Sequence, residues 1–258
     1  MSMNTQPAPY KEKSESLKPG MTVALLAYRE ADNLRVLLPK IRENVESIPG
    51  QIPYTIEVID TKEPLDDTPE VCRQFGAEYF NQEGPGFGGA FRSAIRQADR
   101  KLFLILDSDG SHDPVYIPAI YQKYIDESCD LVIGSRYTKG GKTFDHASSI
   151  LMSRTLNAVF RLFLGIKAKD ISTDFRLYDT AQLKNVRLEN VYFDVLQEVL
   201  LKLKINNPGF KIGEVPITFV KRMYGESKRD LIPFILSYLR TLVKLTGIRF
   251  LYGRRGQK

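Results

Sequence analysis

At 258 residues and 29.4 kDa, with 43% apolar residues, the chain is long enough for one large α/β domain and too hydrophobic for general disorder. Its two cysteines, Cys72 and Cys129, lie far apart and outside any metal-ligand spacing, which excludes a disulfide framework and a zinc site. The net charge of +6 is unevenly placed: ten basic residues against two acids fall between Lys221 and Lys258, and no nucleic-acid recognition motif accompanies them.

Residues 1–20 are polar and rich in Pro, Ser and Lys, without the apolar core of a signal peptide, so a flexible leader and a cytoplasmic location are expected. From residue 21 onward short apolar runs alternate with amphipathic stretches, the pattern of βαβ units and a mainly parallel sheet. MTVALLAY reads as a strand, ADNLRVLLPKIRENVES as a helix and YTIEVID as the next strand. TPEVCRQFG reads as a helix closed by a glycine, AEYFNQ as a short strand, GFGGAFRSAIRQAD as a glycine-led helix and KLFLILDSD as a buried strand ending in acids. A further strand is expected from Glu214 to Phe219. Tyr28, Glu30, Asp60, Asp107 and Asp109 then fall at the carboxyl ends of strands, where open parallel sheets bind ligands.

In LILDSDGSHDP, Asp107 and Asp109 flank Ser108 as the chain leaves a core strand. Residues i and i+2 of an extended segment project to the same side, so both carboxylates can approach one hard cation. Turn formation alone also explains such a run. The glycines 84, 86, 88 and 89 do not give a dinucleotide fingerprint, and close backbone packing is the safer reading. Lys221, Arg222, Lys228 and Arg229 share one loop suited to phosphate recognition, and a solvated basic face is the plainer use of it. Arg136 follows the apolar run LVI and is expected near the same sheet edge as the acids. His112 is open to a metal, capping or loop role.

Together these segments resemble the dolichol-phosphate mannose synthases, within the inverting family 2 of GT-A glycosyltransferases. The resemblance runs from about Thr22 to Phe250. LLAYREADNL resembles the first-strand motif P-T-Y-N-E at Tyr28 and Glu30, and Asp60 matches the first acid of D-D-G-S, with Thr61 in place of the second. PGFGGA, IGSRY, ISTDFRLY and IGEVPITFVKRMYGESK follow in the family's order, and MSRTLN, with Arg154 and Asn157, is similar to a segment near the acceptor phosphate.

The resemblance implies a GT-A, Rossmann-like sheet and transfer of a hexose, with mannose and GDP-mannose favoured, to dolichyl or polyprenyl phosphate with inversion. It implies a divalent Mg or Mn ion on Asp107 and Asp109, and donor contacts from Tyr28, Glu30, Asp60, Gly88, Ser108, Arg222 and Lys228. It also implies acceptor-phosphate contacts from Arg136 and Arg154, Arg136 counting with Asp107 and Asp109 among the catalytic residues. The alternatives are a UDP-sugar donor, a soluble glycan acceptor, or a non-catalytic lipid-binding subunit.

Residues 231–258 complete the pattern. Pro233 lies near a helix start, and Arg240 and Lys244 interrupt every apolar run well short of the ~20 residues a spanning helix needs. An amphipathic helix at the membrane surface is expected, peripheral on the cytoplasmic face; some family members rely on a small membrane subunit instead. Packing on the domain or on a second subunit is the plainer use of such a helix.

Overall fold

The computed structural model describes residues 16–224 and 231–255. The strands are β1 (Lys18–Leu26), β2 (Tyr54–Asp60), β3 (Glu78–Asn81), β4 (Arg100–Asp107), β5 (Leu131–Ser135), β6 (Lys142–Thr143), β7 (Arg176–Asp179), β8 (Ile212–Pro216) and β9 (Thr218–Phe219). Seven of them form a sheet in the order β3-β2-β1-β4-β7-β5-β8, in which β7 alone runs antiparallel to its neighbours. β1 is the pivot: the chain steps to β2 on one side and returns to β4 on the other. The loops leaving β1 and β4 therefore diverge and open a crevice between them.

β1 begins at Lys18, so the last residues assigned to the leader already belong to the sheet. The single strand expected from Glu214 to Phe219 is in fact two. Pro216 offers no N–H to carry the ladder onward, and the chain crosses to pair β9 with β6 in a separate two-stranded sheet.

Alternation along the strands supplies two cores. One face of the sheet, with Val23, Leu25, Leu104 and Leu106, packs on α1 (Ala31–Glu46), α2 (Thr68–Phe75) and α4 (Ile117–Asp126). α1 meets it through Leu34, Leu37, Leu38, Ile41 and Val45, and Gly76 in the left-handed region (φ 65°) ends α2 as the sequence predicts. The other face, with Ala24, Phe103 and Ile105, packs on α3 (Gly86–Gln97), α5 (Ala147–Leu164), α6 (Thr180–Lys184), α7 (Val195–Asn206) and α8 (Leu231–Arg255).

α8 carries apolar residues on both its inner and its outer face. Tyr238 and Leu245 enter the core, and Ser237 and Thr241 donate to the buried Asp194 carboxylate at 3.0 and 2.5 Å. Outward it shows Leu236, Leu239, Val243 and Phe250, at steps of three, four and seven residues, interleaved with Arg240 and Lys244. Among the described residues, no helix is long and apolar enough to cross a membrane.

Candidate active site

A cleft of about 450 Å³ opens at the carboxyl ends of β1 and β4. Its walls bring together Tyr28 and Glu30 from the exit of β1, Asp107, Ser108 and Asp109 from the exit of β4, and Arg222 from beyond β9. The two exits are tied directly, because Ser108 Oγ donates to the Leu26 carbonyl at 2.6 Å. Between Tyr28 and Glu30 the chain turns through Arg29 at φ 59°, a left-handed conformation that a non-glycine residue adopts only when its surroundings hold it.

A strap from Val220 to Tyr224 crosses the acidic loop. Val220 N donates to the Ser111 carbonyl and Met223 N to that of Asp109, while the side chain of Asn33 bonds the backbone of Tyr224. Beneath it Gly110 has φ 79°, a backbone angle that favours glycine, and the flexible Met223 side chain lies over it. Arg222 Nη2 donates to Asp109 Oδ2 at 2.9 Å, placing a guanidinium on the outer of the two sequence-predicted metal ligands.

The inner ligand has company in Asp174, which the sequence offers as a possible assistant with a structural role the plainer reading. Asp174, 5% exposed, lines the cleft beside Asp107, and one ligand atom from each of Asp107, His112 and Asp174 falls within 4.8 Å of the others. Burial, then the neighbouring Asp107 charge, pushes the Asp174 carboxyl well above the usual range. Two carboxylates this close in a buried setting need a proton or a cation between them. Hard oxygen ligands at such a point fit Mg²⁺ or Mn²⁺.

His112 does not complete that set. Its Nδ1 accepts the Asp107 backbone N–H at 3.1 Å, which leaves Nε2 to carry the proton toward Thr173 Oγ1, also at 3.1 Å. Full burial lowers its pKa, in keeping with a neutral ring. Both nitrogens are committed to the protein, so His112 braces the end of β4 against the segment before β7.

The other residues expected at the site are engaged by the protein in ways the sequence did not show. Gly88 does not offer its N–H to a phosphate, because it donates to the Val191 carbonyl at 2.8 Å; a Cβ there would stand 2.0 Å from the Asn190 carbonyl oxygen, so this glycine serves backbone packing. Asp60 is fully buried and spends its carboxylate on the Thr61 N–H and the Tyr79 hydroxyl, leaving Thr61 to face the cleft. Arg136 is not among the cleft-lining residues. Its Nε and Nη2 bond the buried Asp170 at 2.8 and 2.9 Å, and Nη2 also reaches Ser172 at 2.7 Å. That pairing holds the Asp170 carboxyl below the usual carboxylate range despite its burial. Arg154 lies against the ring of Tyr137, as Arg136 does, and lines a different cavity. Lys228 lies outside the described residues. Phe87 and Phe193, stacked with centroids 4.2 Å apart, form an apolar wall of the cleft that no motif announced.

Residues 22–187 match the family model described as glycosyl transferase family 2. The chain belongs to glycosyl transferase family 2. Within the family it is 30% identical over 234 residues to the dolichol-phosphate mannosyltransferase of Pyrococcus furiosus, covering 87% of this chain and 63% of that relative. It is 29% identical over 212 residues to the undecaprenyl-phosphate mannosyltransferase of Micrococcus luteus, covering 78% of this chain and 84% of the relative. Among solved structures, glucosyl-3-phosphoglycerate synthase from Mycobacterium tuberculosis in complex with Mg²⁺ and uridine diphosphate has a TM-score of 0.68 at 18% identity, covering 91% of this chain and 81% of that one. This likeness is one of fold, and it agrees with the GT-A, mainly parallel sheet expected from the sequence.

Proposed function

We propose that this protein is a glycosyltransferase that moves a hexose from a nucleotide diphosphate sugar to a polyprenyl phosphate. The observation that carries the reading is the Asp107–Asp174 carboxylate pair at the switch point of the sheet, inside a cleft of nucleotide-sugar dimensions. The names of the P. furiosus and M. luteus relatives support a polyprenyl-phosphate acceptor and mannose as the sugar; GDP is the donor nucleotide favoured by the sequence resemblance.

Residues 21–230 act as the catalytic unit in this reading. Tyr28 and Glu30 line the end of the cleft suited to the base, and Asp107, with Asp109 and Asp174 in reach, holds a divalent cation. When bound, that cation supplies positive charge to the donor diphosphate. Arg222 adds a planar cation where the leaving diphosphate gains charge, and Lys228 is assigned to the same task. The acceptor phosphate is already an anion near neutral pH and needs no strong general base; its oxygen attacks the anomeric carbon from the face opposite the departing nucleoside diphosphate, so the product is inverted. Arg136, anchored by Asp170, and Arg154 provide the positive field that draws it in. Residues 231–258 place the protein peripherally on a membrane, with Leu236, Leu239, Val243 and Phe250 toward lipid and Arg240 and Lys244 toward anionic headgroups.

The test is donor turnover with GDP-mannose, GDP-glucose and UDP-glucose, with and without Mn²⁺, and with polyprenyl phosphate against a soluble glycan as acceptor. Metal-dependent transfer to polyprenyl phosphate is expected. Transfer to the soluble glycan alone would sink the lipid acceptor, and no transfer from any donor would sink the enzyme.

A further inference from the structure

Residues 189–194, between α6 and α7, are gripped by three helices. From α7, the buried Glu198 carboxylate accepts the backbone N–H groups of Glu189 and Asn190 at 3.0 and 2.9 Å. Against the first turn of α3 the segment lies backbone on backbone: the Val191 carbonyl accepts from Gly88 N at 2.8 Å, and that of Asn190 accepts from Arg92 Nη1 at 2.7 Å. α8 closes the third side. Lys244 pairs with Glu189 at 2.8 Å, and the buried Thr241 uses its hydroxyl both ways, donating to Asp194 Oδ2 and accepting from Asn190 Nδ2 at 3.2 Å.

Asp194 is set against its local preference. It stands at the N-terminus of α7, where an aspartate carboxylate ordinarily accepts from the first backbone N–H groups of its own helix, and it makes no such bond. Its side chain turns to α8 instead, where Ser237 and Thr241 donate to one oxygen. The residue before it is Phe193, whose ring stacks on Phe87 and lines the cleft. Phe87 in turn stands next to Gly88, which hangs on the Val191 carbonyl. Both rings of the apolar wall therefore depend on one segment, and that segment depends on α8.

We propose that residues 189–194 form a strut through which α8 sets the aromatic wall of the cleft, with Asp194, fixed by Ser237 and Thr241, as a positioning residue for bound donor. The inference rests on the transfer reading for what the cleft holds; the strut itself is read by hydrogen exchange, without substrate.

The experiment uses the full chain, wild type and the variants Thr241→Val, Thr241→Ser and Ser237→Ala. Hydrogen–deuterium exchange is followed over residues 86–97 of α3 and, as an internal reference, over 131–135 of β5. Donor kcat and KM are measured with GDP-mannose, Mn²⁺ and polyprenyl phosphate. Thr241→Val is expected to speed exchange over 86–97 about tenfold with 131–135 unchanged, because only the strut loosens. It should also raise donor KM about fivefold at nearly constant kcat, since a wall that meets ground state and transition state alike contributes uniform binding. Thr241→Ser keeps the hydroxyl and should restore both. Ser237→Ala removes only one of the two donors, should shift both readouts the same way by less, and decides the matter if Thr241→Val folds poorly. Exchange that rises equally in α3 and β5 would make this an ordinary stabilising contact and overturn the proposal. Unchanged exchange in α3, an unchanged donor KM in active enzyme, or a Thr241→Ser variant no better than Thr241→Val overturns it as well. A wild type that transfers nothing from GDP-mannose sinks the transfer reading by itself, and exchange then decides the strut alone.

Discussion

The cleft and the cavity beside α5 carry opposite charge and are built by opposite means. In the cleft, carboxylates sit at strand ends, where the sheet fixes the backbone and short side chains suffice; Asp107 leaves β4 and Asp174 precedes β7. In the cavity beside α5, Arg154 and Arg161 from that helix converge with Lys169 from a facing segment, so the packing of α5 decides whether they meet at all. Between the two runs a buried polar chain: His112 to Thr173, then Ser172 to Arg136, Asp170 and Asn157. Charges placed by a sheet are robust to neighbouring substitutions, whereas charges placed by docked helices depend on the pair that anchors them.

The largest expected effect tests that anchor. Asp170→Ala leaves the Arg136 guanidinium buried without its partner and should cost about 3–5 kcal/mol in urea unfolding, since a broken buried pair leaves an uncompensated charge. A loss under about 1 kcal/mol would mean that solvent reaches Arg136 and the two regions are not divided by a structural pair.

The cleft should respond in the opposite way, in chemistry rather than stability. Asp107→Asn is expected to lower metal-dependent turnover at least about a hundredfold and to weaken Mn²⁺ binding seen by electron paramagnetic resonance, with little change in unfolding midpoint. Retained Mn²⁺ affinity would shift the metal away from the strand end.

A buried acid outside both cavities supplies the control. Glu57, in the middle of β2 and 2% exposed, has its carboxyl raised well above the ordinary value by burial and then by Glu78, and its Oε1 has no partner among the described residues. A carboxyl whose folded pKa is raised binds its proton more tightly in the native state. Stability then falls as pH rises from the unfolded value near 4 toward the folded one, with a slope of at most about 1.4 kcal/mol per pH unit. Glu57→Gln should remove that slope and gain on wild type as pH rises; parallel stability curves would show that Glu57 is already solvated or paired.

The smallest effect belongs to the outer face of α8. Val243, 76% exposed, touches little of the protein, so Val243→Ser should weaken sedimentation with anionic vesicles by about threefold to tenfold while leaving the unfolding midpoint unchanged. Unchanged vesicle binding would remove this stripe from any lipid contact. Point substitutions are needed because deleting α8 would also take Tyr238 and Leu245 out of the core.

Much of the framework was readable because it rests on periodicity. The alternation of Val23, Leu25, Leu104 and Leu106 set the strands, the spacing in α1 set its buried face, and the D-x-D run set the acids at the exit of β4. Tyr28, Glu30, Ser108, Asp109 and Arg222 do meet in one cleft. Asp174 was harder to see, because ISTDFRLY reads equally well as a structural segment; its position two residues before a strand that pairs with β4 was the available signal. Phe193 carried none, since it reaches Phe87 only through the packing of the segment before α7.

The sequence by itself determined which residues leave strands with polar side chains, because period-2 burial is a local property of the chain. Only the tertiary structure decided what those side chains are free to do. Asp60 and Gly88 look like ligand contacts in sequence, yet Tyr79 and Val191 claim them in space. A buried polar group must be satisfied by whatever the fold brings near it, and that neighbour is distant along the chain.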